Sequence, residues 1–202
     1  IYSVLSSNFK TICTTGNFNN HIGLPLSLFE IRHDTEFAVI EMGANNFGEI
    51  AFLTSLCEPD YGYITNFGKA HLEGFINIDG VIKAKTELYQ WIIKNDKTLL
   101  INGEDKNQKK FDNHKHIMFG CGENFQFNFR EKNNDFVNVL HDNYLFETKL
   151  YGTYNYSNVC AAIALGLEFG IDKNQINQSL KNYQPNNNRS EIIKIGDKKI
   201  VL

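Results

Sequence analysis

The stretch FAVIEMGANNFGEIAFLTSLCEPDYGYITNF, residues 37–67, decides the fold class. It opens with an apolar run rich in Val and Ile, Phe37 to Gly43, which is typical of a buried parallel strand. A segment with helical spacing, Gly48 to Cys57, follows and is closed by Pro59. A second apolar run, Tyr61 to Phe67, completes a strand–helix–strand unit. Such a unit predicts an α/β fold, in which helices flank a mostly parallel sheet.

The same alternation continues towards the C-terminus and then changes character. Residues 125–150 alternate apolar and polar side chains with Asn-rich breaks, which predicts a small antiparallel sheet beside the parallel one. The other predicted elements are a helix at 79–93 with Asp79 as its N-cap, strands at 98–102 and 116–120, helices at 155–170 and 173–183, and a hairpin that begins at Glu191.

Composition narrows the class of protein. The chain has 202 residues, 42% hydrophobic and 21% charged, which suits one domain or one domain plus a fragment. A net charge of -3 argues against a general nucleic-acid binder. No apolar run reaches the roughly 18 residues of a membrane span. The four cysteines form no CxxC pair, which disfavours a zinc knuckle and predicts buried, reduced thiols of a cytoplasmic protein.

Three polar, glycine-bearing segments, each expected to be a loop, follow the predicted parallel strands. They span residues 14–25, 41–50 and 65–75. In an open parallel sheet, ligands bind outside the carboxyl ends of the strands. Because all three segments should emerge at that edge, the sequence predicts a ligand site there.

Two residues in these segments suggest a metal ion. Taken alone, Glu41 is explained by a solvated strand end and His71 by a structural histidine. Together, a carboxylate and an imidazole on adjacent strand ends could hold a divalent cation such as Mg²⁺, with a substrate phosphate as a further ligand. Lys69 is not a phosphate-loop lysine, because Ala70 follows it and no segment fits G-x-x-x-x-G-K-[ST].

The predicted helix at 79–93 carries three charged residues within one turn and a half. Lys83 and Glu87 are spaced as an i,i+4 pair on one face, and Lys85 lies on a different face. A solvated helix surface explains this spacing equally well.

Five segments in this order carry a resemblance to a known family. In their wording and order the chain resembles the Mur ligases, and among them the branch that joins D-alanyl-D-alanine to the UDP-N-acetylmuramoyl tripeptide. The segments are GNFNNHIGLPLSL at 16–28, EMGANNFGEIA at 41–51, TNFGKAHLEGF at 65–75, GVIKAKTEL at 80–88 and NNNRSE at 186–191.

The resemblance implies a domain organisation. Residues 1–185 would form the P-loop NTPase-like central ATPase domain, and residues 186–202 a hinge and the start of a C-terminal ligase domain. It also implies that the phosphate loop lies upstream of Ile1. The chain is therefore expected to be N-terminally truncated, and inactive when isolated.

Roles for individual residues are likewise implied by the resemblance. Glu41 would bind the Mg²⁺ that bridges the ATP phosphates, and His71 would help to hold a second Mg²⁺. Lys85 would be carbamylated, since an ammonium group cannot ligate Mg²⁺. The other implied contacts are Asn155 and Asn158 near the adenine, Arg189 reaching ATP on domain closure, and Thr14, Thr15, Asn17 and Asn20 facing the UDP-muramoyl substrate.

The activity implied is ATP-dependent amide bond formation through an acyl phosphate, in cytoplasmic peptidoglycan precursor synthesis. Lys85, His71 and Arg189 would be its catalytic residues. The protein is expected to act as a monomer, with neither nucleic acid nor a membrane as partner. Two alternatives stay open at this point: another Mur-type or folylpolyglutamate-type ligase, and a non-catalytic binding domain.

Overall fold

The computed structural model describes residues 1–68, 75, 77–121, 124–130, 136–185, 192–195 and 198–201. The chain divides into two compact units, one formed by residues 10–124 and the other by residues 1–9 together with 125–202. In chain order the elements are α1 (Tyr2–Leu5), β1 (Thr11–Cys13), α2 (Gly23–Phe29), β2 (Phe37–Val39), α3 (Glu49–Cys57), β3 (Tyr61–Tyr63), α4 (Ile78–Lys94), β4 (Thr98–Asn102), α5 (Lys106–Lys109), β5 (His116–Gly120), β6 (Phe125–Gln126), β7 (Asn128–Arg130), β8 (Phe136–His141), β9 (Tyr144–Tyr151), a 3₁₀ turn (Thr153–Asn155), α6 (Tyr156–Glu168), α7 (Lys173–Asn182), β10 (Ile192–Ile195) and β11 (Lys198–Val201).

Parallel strands and flanking helices build the unit of residues 10–124. Strand β1 pairs with β2, and β3, β4 and β5 pair in that order, all of them parallel. In the other unit β7, β8 and β9 form the antiparallel sheet, and β10 and β11 form the predicted hairpin. The predicted α/β fold class is therefore confirmed. The predicted domain boundary at residue 185 stays a prediction.

The predicted strand, helix and strand all form, but the strands are shorter and lie in different sheets, β2 beside β1 and β3 beside β4. Strand β2 ends at Val39 rather than Gly43. The backbone leaves the ladder there because the N–H of Glu41 donates to the side-chain oxygen of Thr14 instead of to a strand partner, at 2.8 Å. Helix α3 ends at Cys57, where Glu58 adopts the left-handed conformation with φ 46° just before Pro59.

Two local predictions were wrong. The N-cap of α4 is Asn77, whose side-chain oxygen accepts from the N–H of Gly80 at 2.9 Å; Asp79 lies in the first turn, where its charge suits the helix dipole. The segment 14–25 was expected to be a loop, yet α2 begins within it at Gly23. Pro25 is compatible with this start, because the N–H groups of a first helical turn have no partner within the helix.

The core of the first unit packs α4 against strands β3 and β4. Its buried residues are Ile64, Tyr89, Ile92, Leu99, Ile101 and Met118, and Trp91 packs against them. One polar side chain is completely buried beside this cluster. Gln108 donates to the carbonyl of Ile64 at 2.8 Å and accepts from the N–H of Asn102 at 2.9 Å. Its amide thus ties together the ends of two neighbouring strands.

Helix α6 is the core of the second unit. Residues 159–165 of this helix are all buried. Gly166 allows close packing, since a Cβ at this position would lie 2.7 Å from Val4 of α1 and 2.9 Å from Ile176 of α7. Gly170, with φ 74°, ends the segment in the left-handed conformation, which glycine adopts without strain from a Cβ.

Membrane-spanning segments and cysteines were the subject of two predictions from composition. No helix in the described part of the chain combines the length and hydropathy of a membrane span. All four cysteines lie in the described part, and none forms a disulfide. The expectation that their thiols are buried holds for Cys160 but is wrong for Cys121, which is exposed.

Replacing Gln108 by Leu should lower the free energy of unfolding of the unit of residues 10–124 by about 2–4 kcal/mol, because the carbonyl of Ile64 and the N–H of Asn102 would each lose a partner. Urea unfolding followed by the fluorescence of Trp91, the only tryptophan, measures this change. Gln90→Leu on the exposed face of α4 is the matched control, with an expected change within about 0.5 kcal/mol. Equal unfolding midpoints for the two variants would contradict the role given to Gln108.

Candidate functional site

Glu41 lies where the segments after β1 and β2 meet. Its N–H donates to the side-chain oxygen of Thr14 at 2.8 Å, and its Oε1 accepts from Nδ2 of Asn19 at 2.8 Å. The N–H of Gly43 donates to the carbonyl of Asn19 at 2.7 Å. The glutamate side chain is nevertheless exposed. The structure therefore presents an oriented carboxylate at the end of a parallel strand.

The other predicted substrate-binding residues lie in the same segment but have different surroundings. Thr15 and Asn17 are exposed, and their carbonyls accept from the N–H groups of Phe18 and Asn19 at 3.2 and 2.7 Å. Asn20 has a structural role: its side-chain oxygen accepts from the N–H groups of Ile22 at 3.0 Å and Gly23 at 2.9 Å, where α2 starts. Of the four predicted residues, Thr14 is the one bonded directly to Glu41.

A small surface pocket adjoins this segment. Asn20 and Gly43 contribute to its wall together with residues of α3. Its full lining is Asn20, His21, Gly43, Glu49, Phe52 and Leu53. The pocket thus connects the predicted substrate segment with the start of α3.

Glu49 organises the turn that leads into α3. Its Oε2 accepts from the N–H of Asn45 at 2.7 Å, and its Oε1 accepts from Nδ2 of Asn46 at 2.8 Å. These hydrogen bonds, first among them that from the side chain of Asn46, lower the pKa of the Glu49 carboxyl. The residue therefore stabilises the turn as an anion.

Glu87 of α4 caps α3 from a different helix. Its Oε1 accepts from the N–H of Gly48 at 2.8 Å and its Oε2 from the N–H of Ala51 at 3.0 Å. Gly48 is the N-cap residue of α3 and has no side chain with which to cap it. The i,i+4 pair of Lys83 and Glu87 is absent from the ion pairs of the described residues. Lys83 instead lies over the ring of Phe47, with Nζ 5.7 Å from its centroid.

Lys85 reaches the segment after β3. Its Nζ donates to the carbonyl of Asn66 at 2.7 Å. The side chain is half-buried, and this burial lowers the pKa of the Lys85 ammonium below its ordinary value. Helix α4 therefore contacts two strand-end segments. Lys85 reaches the segment after β3, and Glu87 reaches the segment after β2 where α3 starts.

Three residues singled out in the sequence cannot be placed. His71, Lys69 and Arg189 lie outside the described residues. The pairing of Glu41 with His71 therefore stays a prediction. Within the described ranges, no group of three or more His, Cys, Asp or Glu side chains could hold a metal ion.

The two predicted adenine-binding residues lie together at the start of α6, in the second unit. Asn155 ends the 3₁₀ turn and donates from Nδ2 to the carbonyl of Tyr151 at 2.9 Å. Asn158 is exposed in the first turn of α6. Asn158 therefore has an exposed side chain at this helix end, whereas that of Asn155 is half-buried.

The sequence pattern did not mark the residues that hold the site together. Asn19 lies between Asn17 and Asn20, and nothing in the spacing shows which asparagine reaches Glu41. Glu87 is part of the segment GVIKAKTEL, but its partner, the N–H of Gly48 at the start of α3, is distant in sequence. A glycine at the N-cap of α3 was the available signal, because such a helix start needs an acceptor from elsewhere.

The chain resembles members of one family of proteins both in sequence and in structure. The sequence profile of the Mur ligase middle domain matches residues 1–166. The UDP-N-acetylmuramoyl-tripeptide--D-alanyl-D-alanine ligase of Bacillus subtilis is 32% identical over 199 residues, which are 96% of this chain and 43% of that protein. The crystal structure of MurF from Acinetobacter baumannii has a TM-score of 0.87 at 28% identity, over 98% of this chain and 46% of that one.

A third relative is similar in fold. The structure of MurF ligase from Thermotoga maritima in complex with ADP has a TM-score of 0.81 at 24% identity, over 99% of this chain and 48% of that one. The chain thus spans less than half the length of each of these relatives. The family that the sequence resembles is confirmed, because the profile match covers most of the chain: the chain belongs to the family of the Mur ligase middle domain.

Proposed function

We propose that this chain is the central domain of an ATP-dependent ligase that joins D-alanyl-D-alanine to the UDP-N-acetylmuramoyl tripeptide in the cytoplasm, during peptidoglycan precursor synthesis. Its family membership and the activity of its Bacillus subtilis relative support this proposal. The observation that carries it is structural: Glu41 lies on the segment after β2, and α4 contacts that segment through Glu87 and the segment after β3 through Lys85.

The reaction requires that two anions meet. The tripeptide carboxylate attacks the γ-phosphorus of ATP, the bond to the β-phosphate oxygen breaks, and ADP leaves. The amine of D-alanyl-D-alanine then attacks the acyl carbon of the resulting acyl phosphate, and phosphate leaves as the amide forms. Carboxylate and triphosphate repel each other, so the site must supply compensating positive charge.

Glu41 fits the binding of Mg²⁺. Mg²⁺ keeps several waters and is bound through one or two carboxylates together with substrate phosphates. A single exposed carboxylate, oriented by Asn19, meets that requirement, so the lack of a larger cluster of ligands among the described residues is consistent with it. When bound, Mg²⁺ neutralises charge on the phosphates and stabilises the transferred phosphoryl group. His71 would help to hold a second Mg²⁺, an assignment that rests on its place in the segment TNFGKAHLEGF.

Lys85 fits the proposed carbamate. A neutral amine is needed, since its nitrogen lone pair forms the new bond to the carbon of CO₂ while a proton is released. The lowered pKa of Lys85 increases the neutral fraction at a given pH. The product is an anion with carboxylate oxygens, the kind of ligand that Mg²⁺ prefers.

The remaining assignments complete the proposal. Asn155 and Asn158 would contact the adenine at the start of α6, and Arg189 would reach the nucleotide on domain closure, which would exclude water from the acyl phosphate. Thr14, Thr15, Asn17 and Asn20 would face the UDP-muramoyl substrate. Residues 1–185 would form the ATPase domain of a monomer, and residues 186–202 the hinge.

The full-length protein that contains this chain should release phosphate when given ATP, Mg²⁺, UDP-N-acetylmuramoyl tripeptide and D-alanyl-D-alanine together. A coupled phosphate-release assay measures this turnover. Replacing the tripeptide by a folate and D-alanyl-D-alanine by glutamate, as a folylpolyglutamate-type ligase would require, should abolish it. Turnover with the folate and glutamate, but not with the first substrate pair, would assign the chain to another ligase, and no turnover with either pair would favour a binding domain.

Glu41→Ala in the full-length protein should reduce turnover about 100-fold or more, because metal-ion catalysis contributes several kcal/mol of transition-state stabilisation. Its circular dichroism spectrum should match that of the unchanged protein, since the side chain is exposed. Glu30→Ala, an exposed carboxylate at the end of α2, is the control and should keep full turnover. Near-normal turnover of Glu41→Ala would contradict the metal role.

Lys85 should give a carbamate signal in the ¹³C NMR spectrum of the full-length protein supplied with ¹³C-bicarbonate. The signal should increase with rising pH, because deprotonation of the ammonium precedes addition to CO₂, and it should appear at lower pH than for a lysine of ordinary pKa. Lys85→Arg should remove the signal, whereas Lys94→Arg, an exposed position on the same helix, should retain it. Identical spectra for the two variants would rule out carbamylation of Lys85.

A further inference from the structure

We propose that Asn19 is a positioning residue for the carboxylate of Glu41, and that it sets the affinity of that carboxylate for a divalent cation. This inference rests on the metal role proposed for Glu41. It assigns a function to a residue that no motif had separated from its asparagine neighbours.

The hydrogen bond between the two side chains has a defined direction. An ionised carboxylate can only accept, so the amide of Asn19 must present its NH₂ group to Glu41. The distance from Nδ2 to Oε1 is 2.8 Å, which is typical of a hydrogen bond to a charged acceptor. Such bonds are stronger than those between neutral groups, and this one fixes the rotation of the carboxylate.

The position of Asn19 is itself fixed by the backbone around it. Its N–H donates to the carbonyl of Asn17 at 2.7 Å, and its carbonyl accepts from the N–H of Gly43 at 2.7 Å. The amide lies directly against Gly43, where an added Cβ would stand 2.8 Å from Nδ2 and 3.0 Å from Cγ. A Cβ at residue 43 would therefore force the Asn19 amide to shift from its place beside Glu41.

The backbone of Glu41 is held at the same time. Its N–H donates to the Thr14 hydroxyl, so the segment after β1 contacts Glu41 at both its main chain and its side chain. The side chain remains exposed, so a cation could approach it without displacing packed groups. Partners that hydrogen-bond a ligating carboxylate typically contribute about 10- to 100-fold to metal affinity or activity.

The experiment measures binding of Mn²⁺, as a paramagnetic substitute for Mg²⁺, to the full-length protein with ADP. Free Mn²⁺ is followed by electron paramagnetic resonance, with ADP alone as the blank. Asn19→Ala should raise the dissociation constant about 10- to 100-fold. Gly43→Ala should have a similar effect, because its methyl group would push Asn19 away from Glu41.

The double variant distinguishes a shared cause from two separate ones. If Gly43→Ala acts through Asn19, combining the two changes should weaken binding no further than the stronger single change does. Asn113→Ala, an exposed asparagine of the same unit, should leave the dissociation constant unchanged. Circular dichroism of each variant verifies that it is folded.

Glu41→Ala separates failure of this proposal from failure of the proposed function. If Glu41→Ala weakens Mn²⁺ binding but folded Asn19→Ala does not, Asn19 has no positioning role. If Glu41→Ala leaves Mn²⁺ binding unchanged, the metal role of Glu41 fails and this proposal fails with it. Fully additive effects of Asn19→Ala and Gly43→Ala would overturn the link between these two residues.

Discussion

Helix α4 carries an ammonium group and a carboxylate two residues apart, and each of them holds a different strand-end segment. Lys85 donates to the carbonyl of Asn66, whereas Glu87 accepts from the start of α3. Side chains at i and i+2 of a helix do not face each other, so these contacts leave α4 in different directions. The spacing between the two segments is consequently set by a rigid helix rather than by the loops themselves. The charges also suit their partners, since a carbonyl needs a donor and a helix N-terminus attracts an anion.

The position of α4 depends in turn on the core beneath it. Tyr89 and Ile92 are fully buried against β3 and β4, and Gln108 binds the carbonyl of Ile64 at 2.8 Å. Ile64 lies two residues before Asn66, the partner of Lys85. Packing and a buried amide therefore position a surface contact. A change in the core would be transmitted to the site through two residues of backbone.

Elements whose signal is local could be predicted from the sequence. Strands β4 and β5 have the predicted bounds, because buried apolar runs indicate strands by composition alone. Features that depend on distant partners could not. The end of β2 depends on the Thr14 hydroxyl, and the role of Glu87 depends on α3, which precedes it by more than thirty residues. For Glu41 the residue type and the strand end were sufficient to mark a candidate, but choosing Asn19 among three nearby asparagines required coordinates.

The contact of Lys85 with Asn66 is compatible with both forms of the lysine in the proposed function. As an ammonium group, Nζ carries three hydrogens and donates one of them to the carbonyl of Asn66. Addition to CO₂ releases protons but leaves one hydrogen on Nζ, since the carbamate has the form R–NH–COO⁻. That hydrogen can keep the bond to Asn66 while the new carboxylate extends away from it. Asn66 would thus orient the nitrogen before and after the modification, and the sign of the charge at Lys85 would change without loss of the contact that fixes its side chain.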